Sequence, residues 1–297
     1  MTMLPLSSEP RALGKSGLTV SPLAWGMWRF AGDDPAAARA KIDAALAIGI
    51  TLFDTADIYG FPTPGFGEAE ALLGRVFAED RSLRDRMVLA TKGGIVPPTP
   101  YDSSAAYLTA ALDASLKRLG VEQVDLWQIH RPDMLTHPQE VAGALVRMVE
   151  SGKARTVGVS NYTAGQTAAL QAWLPFPLAS HQPEWSALHT HPLFDGIADQ
   201  AMARDMAVLA WSPLGGGRLG NGDGAVAALL AAHGERHGVS ATAAAYSWLM
   251  SHPARPIPIV GTQDPARIAQ AVDAFKAPWT RTEWYAVLVA STGEKLP

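Results

Sequence analysis

Between Leu23 and Val260, short apolar runs of about five residues alternate with helical patterns of about twelve. The apolar runs read as strands at Leu23–Trp28, Thr51–Asp54, Met87–Lys92, Leu126–His130, Thr156–Ser160, Ala179–Gln182, Val208–Trp211 and Ile257–Val260. Between them lie amphipathic segments such as "DPAAARAKIDAALAIG", where Asp34 can cap a helix and Pro35 can fill its first position. "SSAAYLTAALDASLKRLG" starts similarly at Ser103 or Ser104 and stops at Gly120. Eight strands alternating with helices predict an α/β fold, a closed (β/α)₈ TIM barrel, with residues 1–297 as a single domain. The competing architecture is an open doubly wound sheet. No strand is followed by the Gly-x-Gly-x-x-Gly turn that would favour it.

Three segments fall outside the eight-fold pattern. "GKSG" between Arg11–Leu13 and Leu18–Val20 predicts an N-terminal β-hairpin. "GDGAVAALLAAHGERHGVSATAAAYSWLM" is long enough for two helices between the seventh and eighth strands. "RTEWYAVLVAST" predicts an extra C-terminal helix, and the "STGEKLP" that ends the chain is a candidate to reach over the barrel mouth.

Composition removes several function classes. A net charge of −4 without a run of Lys or Arg argues against nucleic acid or an anionic membrane as partner. The chain has no cysteine, so thiolate and disulfide chemistry are excluded. No stretch reads as a signal peptide or a membrane span, and a cytoplasmic location is expected.

In a barrel of this kind the active site lies at the carboxyl ends of the strands, so the residue closing each strand matters. Asp54 closes the second, Lys92 the third and His130 the fourth. Ser160 and Asn161 close the fifth, Gln182 the sixth, Trp211 and Ser212 the seventh, Gly261 and Thr262 the eighth. Tyr59 follows in the loop after Asp54, within "FDTADIYG". Taken singly, each has an ordinary structural explanation: a loop cap, a solvated lysine, a buried histidine, a packed ring. Together they form a set that can move a proton. An ammonium beside a phenol favours its phenolate, by about 4 kcal/mol at 4 Å before desolvation. Asp54 would keep Lys92 charged and in place, while a neutral His130 would orient a carbonyl oxygen. The set has no electron source, so a cofactor must provide one.

At these residues the chain resembles the aldo-keto reductase superfamily over nearly its whole length. "FDTADIYG", "ATKGG", "DLWQIHRPD", "VGVSNY", "HQPEWS", "WSPLGGGRL" and "PIPIVGTQDPARI" stand in the family's order and spacing. The resemblance implies nicotinamide-dependent interconversion of a carbonyl and an alcohol, with Asp54, Tyr59, Lys92 and His130 as catalytic tetrad and Tyr59 as general acid. It implies that Ser160, Asn161 and Gln182 hold the nicotinamide carboxamide and that Trp211 stacks on the ring. Ser212, Leu214, Gly216 and Arg218 would receive the pyrophosphate, glycines letting backbone N–H groups approach. Gly26, Met27, Gly261, Thr262, Gln263, Arg267 and Gln270 complete the expected cofactor contacts. Arg267, with a helix starting near Pro265, suits a 2′-phosphate, so NADP(H) is favoured, with NAD(H) as the alternative. Trp28, Tyr59, His130, Trp185 and the loop "GGIVPPTPYDSS" are the expected substrate contacts. Asp57 is not a tetrad position and reads as a loop cap.

Rival readings are weaker. A Schiff-base lyase would use Lys92 as nucleophile, but Asp54 would keep it charged. A hydrolase metal site could be drawn from His181, His189 and His191, yet no carboxylate joins them at ligand spacing, so no metal is expected. A cofactor-binding regulatory subunit would leave the tetrad idle. The partner expected is a small carbonyl or alcohol; its identity, the direction of reaction and the oligomeric state are not written in the sequence.

Overall fold

In the computed structural model, the described residues are 2–220, 222 and 224–295. Eight parallel strands close into a barrel in the order β10-β3-β4-β5-β6-β7-β8-β9. They are β3 (Ala24–Gly26), β4 (Leu52–Asp54), β5 (Val88–Gly93), β6 (Val124–Ile129), β7 (Ala154–Ser160), β8 (Ser180–Gln182), β9 (Ala207–Ala210) and β10 (Ile257–Val260). Each overlaps an expected strand. The first is shorter than its apolar run because Phe30 N–H turns back to the Met27 carbonyl, ending the extended stretch before Trp28.

Helices α1 (Pro35–Ala47), α2 (Glu68–Glu79), α3 (Ala105–Leu119), α4 (Pro138–Glu150), α5 (Ala164–Gln171) and α6 (Ile197–Arg204) connect successive strands. Two helices, α7 (Ala225–His237) and α8 (Ala241–Met250), separate β9 from β10, as the length of that segment predicts. The caps fall where the sequence puts them: Asp34 accepts from Ala36 N–H, Ser104 from Tyr107 N–H, and Gly120 ends α3 with a left-handed φ of 66°. After β10 come the short α9 (Pro265–Ala269) and the C-terminal α10 (Arg281–Thr292), which begins with a Thr280–Glu283 capping box. Leu296 and Pro297, the end of the segment expected near the mouth, lie outside the described residues. Among the described residues no helix is long and apolar enough to cross a membrane.

The two-residue period of the strands sorts their side chains. Phe53, Leu89, Trp127, Val157 and Val159 face outward into the layer beneath the helices. Leu52, Ala90, Leu126, Leu209 and Ile257 face inward and form a second core with Leu13, Leu18 and Val20 of the hairpin β1 (Arg11–Ala12) and β2 (Thr19–Val20). The hairpin therefore plugs the amino-terminal end of the barrel. Its turn sits so close that a Cβ on Gly14, at φ +56°, would run into the Ala179 carbonyl at the foot of β8. Continuing the inward alternation upward leads from Leu52 to Asp54, from Ala90 to Lys92 and from Leu126 through Gln128 to His130. The fold thus delivers these side chains to one place, the carboxyl end.

Candidate active site

Lys92 is the anchor. Its ammonium is fully buried and donates to Asp54 Oδ2 at 2.7 Å and to the Thr55 carbonyl at 2.8 Å. Burial pulls its pKa down, but Asp54 and Tyr59 outweigh that, and the net displacement is upward, so Lys92 is charged at neutral pH. The ammonium lies 4.9 Å from the centre of the Tyr59 ring. The Tyr59 ring also meets the His130 ring edge-on at 6.0 Å and the exposed Trp28 ring at 5.0 Å. His130 is held neutral, its pKa well below the usual value through burial and then the Lys92 and Arg131 charges.

The phenol departs from the simple expectation. Burial raises the Tyr59 pKa by more than Lys92 lowers it, and Asp54 adds to the rise. The ammonium limits the cost of ionising Tyr59 without making the phenolate its resting form. Tyr59 is therefore a protonated donor at neutral pH.

The residues expected to hold a carboxamide are tied directly to this set. Gln182 Nε2 donates to Asp54 Oδ1 at 2.9 Å. Ser160 Oγ donates to the Gln182 carbonyl and accepts from Asn161 Nδ2, which also donates to the His130 carbonyl. Asn161, at a left-handed φ of 59°, accepts from Trp211 Nε1 at 2.9 Å. Ser160 and Gln182 are buried, so in this arrangement their hydrogen-bonding groups serve Asn161 and Asp54. Asn161 and the half-buried Trp211 form the accessible part of the shelf.

Further round the mouth, Ser212 is again left-handed, at φ +53°. Gly216 and Gly217, at +73° and +99°, have no neighbouring atom within 4 Å of where a Cβ would stand. This open turn fits a bulky anion sterically. Its N–H groups are not free, however: Gly215 donates to the Ser212 carbonyl, Gly216 to Ser212 Oγ and Gly217 to the Leu214 carbonyl. Arg218 folds back onto the Gly215 carbonyl, leaving the rest of its exposed guanidinium as a ready positive group.

Four expectations are corrected by the geometry. Trp185 is completely buried with its ring against His252, because the chain after β8 turns it into the helix layer, so it cannot touch a substrate. Met27 is also buried and its N–H donates to the Asp54 carbonyl, while the Gly26 carbonyl accepts from Gln263 Nε2. These three join β3 to its neighbours, and the buried Met27 side chain offers no surface to a cofactor. The helix after Pro265 is only five residues long, and Asp264 already caps it through Ala266 N–H, so a carboxylate occupies the position expected for an anion. Arg267 is largely exposed and leans toward Asp264 at 3.7 Å; Thr262 accepts from Asp264 N–H, and Gln270 is exposed beyond them. Finally, Asp57 is no loop cap. It is buried behind Lys92, neither carboxylate oxygen has a hydrogen-bond partner among the described residues, and burial followed by repulsion from Glu70 raises its pKa far above the usual range.

Glu70 belongs to a buried group that sequence reasoning missed. It accepts from Arg118 Nε at 2.7 Å and from the outward-facing Thr91, one residue before Lys92. The available signal was a carboxylate on the apolar stripe of α2, among Ala69, Leu72, Leu73 and Val76.

The aldo/keto reductase family model matches residues 22–288. The 6-dehydroglucose reductase of Novosphingobium aromaticivorans is 56% identical over all of both chains, and that of Agrobacterium fabrum is 39% identical over 94% of this chain and 97% of its own. The structure of the thermostable aldo-keto reductase Tm1743 with the inhibitor epalrestat superposes with a TM-score of 0.82 at 22% identity, over 95% of this chain and 99% of that one, a likeness of fold. The chain belongs to the aldo/keto reductase family and is an NAD(P)-dependent oxidoreductase acting on small carbonyl compounds.

Proposed function

We propose that this protein reduces the aldehyde carbon of an oxidised hexose of the 6-dehydroglucose type with NADPH, reversibly, and that Tyr59 is the proton donor. The observation that carries the mechanism is the convergence of Tyr59, charged Lys92 and neutral His130 at the carboxyl end of the barrel, beside the exposed Trp28, with Lys92 locked by Asp54. The substrate class rests on the two full-length relatives named for it. The helices surrounding one closed barrel support reading residues 1–297 as a single domain.

The nicotinamide supplies or accepts the hydride. The protein's own residues do the rest. Neutral His130 directs the carbonyl oxygen toward the phenol, and Tyr59 gives its proton to that oxygen as negative charge develops there. Lys92 stabilises the resulting phenolate, and Asp54 prevents the ammonium from losing its own proton. Trp28, more than half exposed and edge-on to Tyr59, forms a wall beside the reacting carbonyl. Asn161 and Trp211 would hold the nicotinamide ring, Ser160 and Gln182 would fix them relative to Asp54, and Arg218 with the open turn from Ser212 to Gly217 would take the pyrophosphate. Arg267, freed from Asp264, would face a 2′-phosphate.

The test is steady-state oxidation of NADPH and of NADH with 6-dehydroglucose and with a plain alkyl aldehyde. The proposal expects kcat/KM at least tenfold higher for the sugar aldehyde and for NADPH. Equal values for both aldehydes would refute the substrate class, and equal values for both cofactors would refute the NADP(H) preference.

A further inference from the structure

The two-residue alternation of β8 continues past its last residue. Ser180 and Gln182 face into the barrel, where they bond Gln128 and Asp54. Trp185 faces outward and is completely buried against His252. Glu184, two residues after Gln182 and one before Trp185, therefore faces the mouth. Its neighbour across the sheet is Trp211. The two form a parallel bridge, in which Trp211 N–H donates to the Pro183 carbonyl at 3.1 Å and Trp185 N–H to the Trp211 carbonyl at 3.2 Å. Bridge partners carry their side chains on one face, and Trp211 packs on the core inside the barrel. The Glu184 carboxylate thus stands beside the Trp211 indole.

Resting on the reading that Trp211 carries the nicotinamide ring, we propose that Glu184 is a further determinant of the reaction, a fixed carboxylate that stabilises the positive ring of NADP⁺ over the neutral ring of NADPH. Glu184 is half-buried, so its charge is partly withdrawn from water yet still open to a ligand. Gln182 on one side of it is engaged with Asp54, and Ser186 on the other accepts from Leu188 and His189 N–H groups. The Glu184 side chain itself has no hydrogen bond or ion pair among the described residues. Lys92 is neutralised by Asp54, and Arg218 folds onto the Gly215 carbonyl, so neither cancels this charge.

The consequence is directional. When the carbonyl carbon accepts the hydride and its oxygen accepts the Tyr59 proton, the nicotinamide ring is left with one positive charge. A carboxylate beside that ring favours the state after the transfer, and the lower dielectric of a half-buried site strengthens the effect. Glu184 thereby draws the bound equilibrium toward the alcohol.

The experiment is isothermal titration of the full chain with NADP⁺ and, separately, with NADPH at one ionic strength. The two cofactors differ in ring charge and share every phosphate, so their affinity ratio isolates the ring. Glu184→Gln should weaken NADP⁺ at least ~5-fold while NADPH changes less than ~2-fold. Glu184→Ala should give the same ratio, and Glu184→Asp, which keeps the charge, should restore much of the wild-type one. With no protein partner to lose, each variant should melt within about 2 °C of wild type. Trp211→Leu tests the reading beneath the proposal and should weaken both cofactors together. If Trp211→Leu binds both as wild type does, the ring lies elsewhere, and reading and proposal fall together. If Trp211→Leu weakens both but Glu184→Gln alters the two affinities equally, or neither, the shelf stands and the proposal alone is overturned.

Discussion

Replacing Asp54 by asparagine should cost far more than the loss of one surface ion pair. Lys92 is fully buried and the Asp54 side chain is 3% exposed, so no water can replace the lost charge without rearrangement. Asp54 also accepts from two donors, Lys92 Nζ on Oδ2 and Gln182 Nε2 on Oδ1. Asparagine has one acceptor oxygen, so one of these donors would face an NH₂ group instead. Removing one partner of a buried ion pair typically costs about 3–5 kcal/mol, because the other charge is left uncompensated. For a chain of this size that is a Tm decrease of roughly 5–8 °C. The assay is equilibrium urea unfolding of Asp54→Asn, Lys92→Met and the double variant. Each single variant should be destabilised by several kcal/mol, and the double should be substantially more stable than the sum of the two predicts. A loss below about 1 kcal/mol for Asp54→Asn would mean the pair is solvated in solution, as surface pairs are, and would refute the argument. Additive losses would show that the two residues do not act as a pair.

Two further predictions concern catalysis. The Tyr59 pKa is displaced above its ordinary value near 10, so the donor is fully protonated across pH 6–9 and reduction should not fall through loss of this proton there. Alcohol oxidation, which needs the phenolate, should rise steadily with pH over that range; an oxidation plateau below pH 8 would contradict the assignment. Asp264→Asn keeps the cap on α9 but removes the charge that draws Arg267 away, so the kcat/KM ratio of NADPH to NADH should increase several-fold. An unchanged ratio in competition kinetics would show that Arg267 does not meet the 2′-phosphate.

What the sequence made legible follows a physical pattern. Asp54, Lys92 and His130 end apolar runs, and the two-residue period that buries Leu52, Ala90 and Leu126 in the barrel necessarily aims them inward as well. That geometry is local, and local patterns are readable. The burial of Asp57 and the Glu70–Arg118 pair are not local. They require α2, β5 and α3 to pack together across 48 residues of sequence, and no spacing rule announces that. Trp185 follows the sixth strand closely enough to suggest the mouth, yet the turn after β8 rotates it into the helix layer. The glycines after Trp211 signal an open turn, and Gly216 and Gly217 do leave space where a Cβ would stand. That Ser212 would accept from its Gly216 N–H depends on a left-handed serine that residue identity does not reveal. Asp264 shows the same limit: an acidic residue beside a prospective phosphate clamp can be seen in the sequence, but its engagement with both Arg267 and Ala266 N–H requires coordinates.

The central claim is that Tyr59 donates the proton while the cofactor is held by other residues. Tyr59→Phe removes one hydroxyl from a ring that keeps its packing against Trp28 and His130. The decisive measurement is turnover of this variant with NADPH and a reducible aldehyde, alongside NADPH affinity from quenching of tryptophan fluorescence. The account predicts turnover lower by ~10²–10⁴-fold with nearly unchanged NADPH affinity. Turnover within a few-fold of wild type, with NADPH still bound, would contradict it.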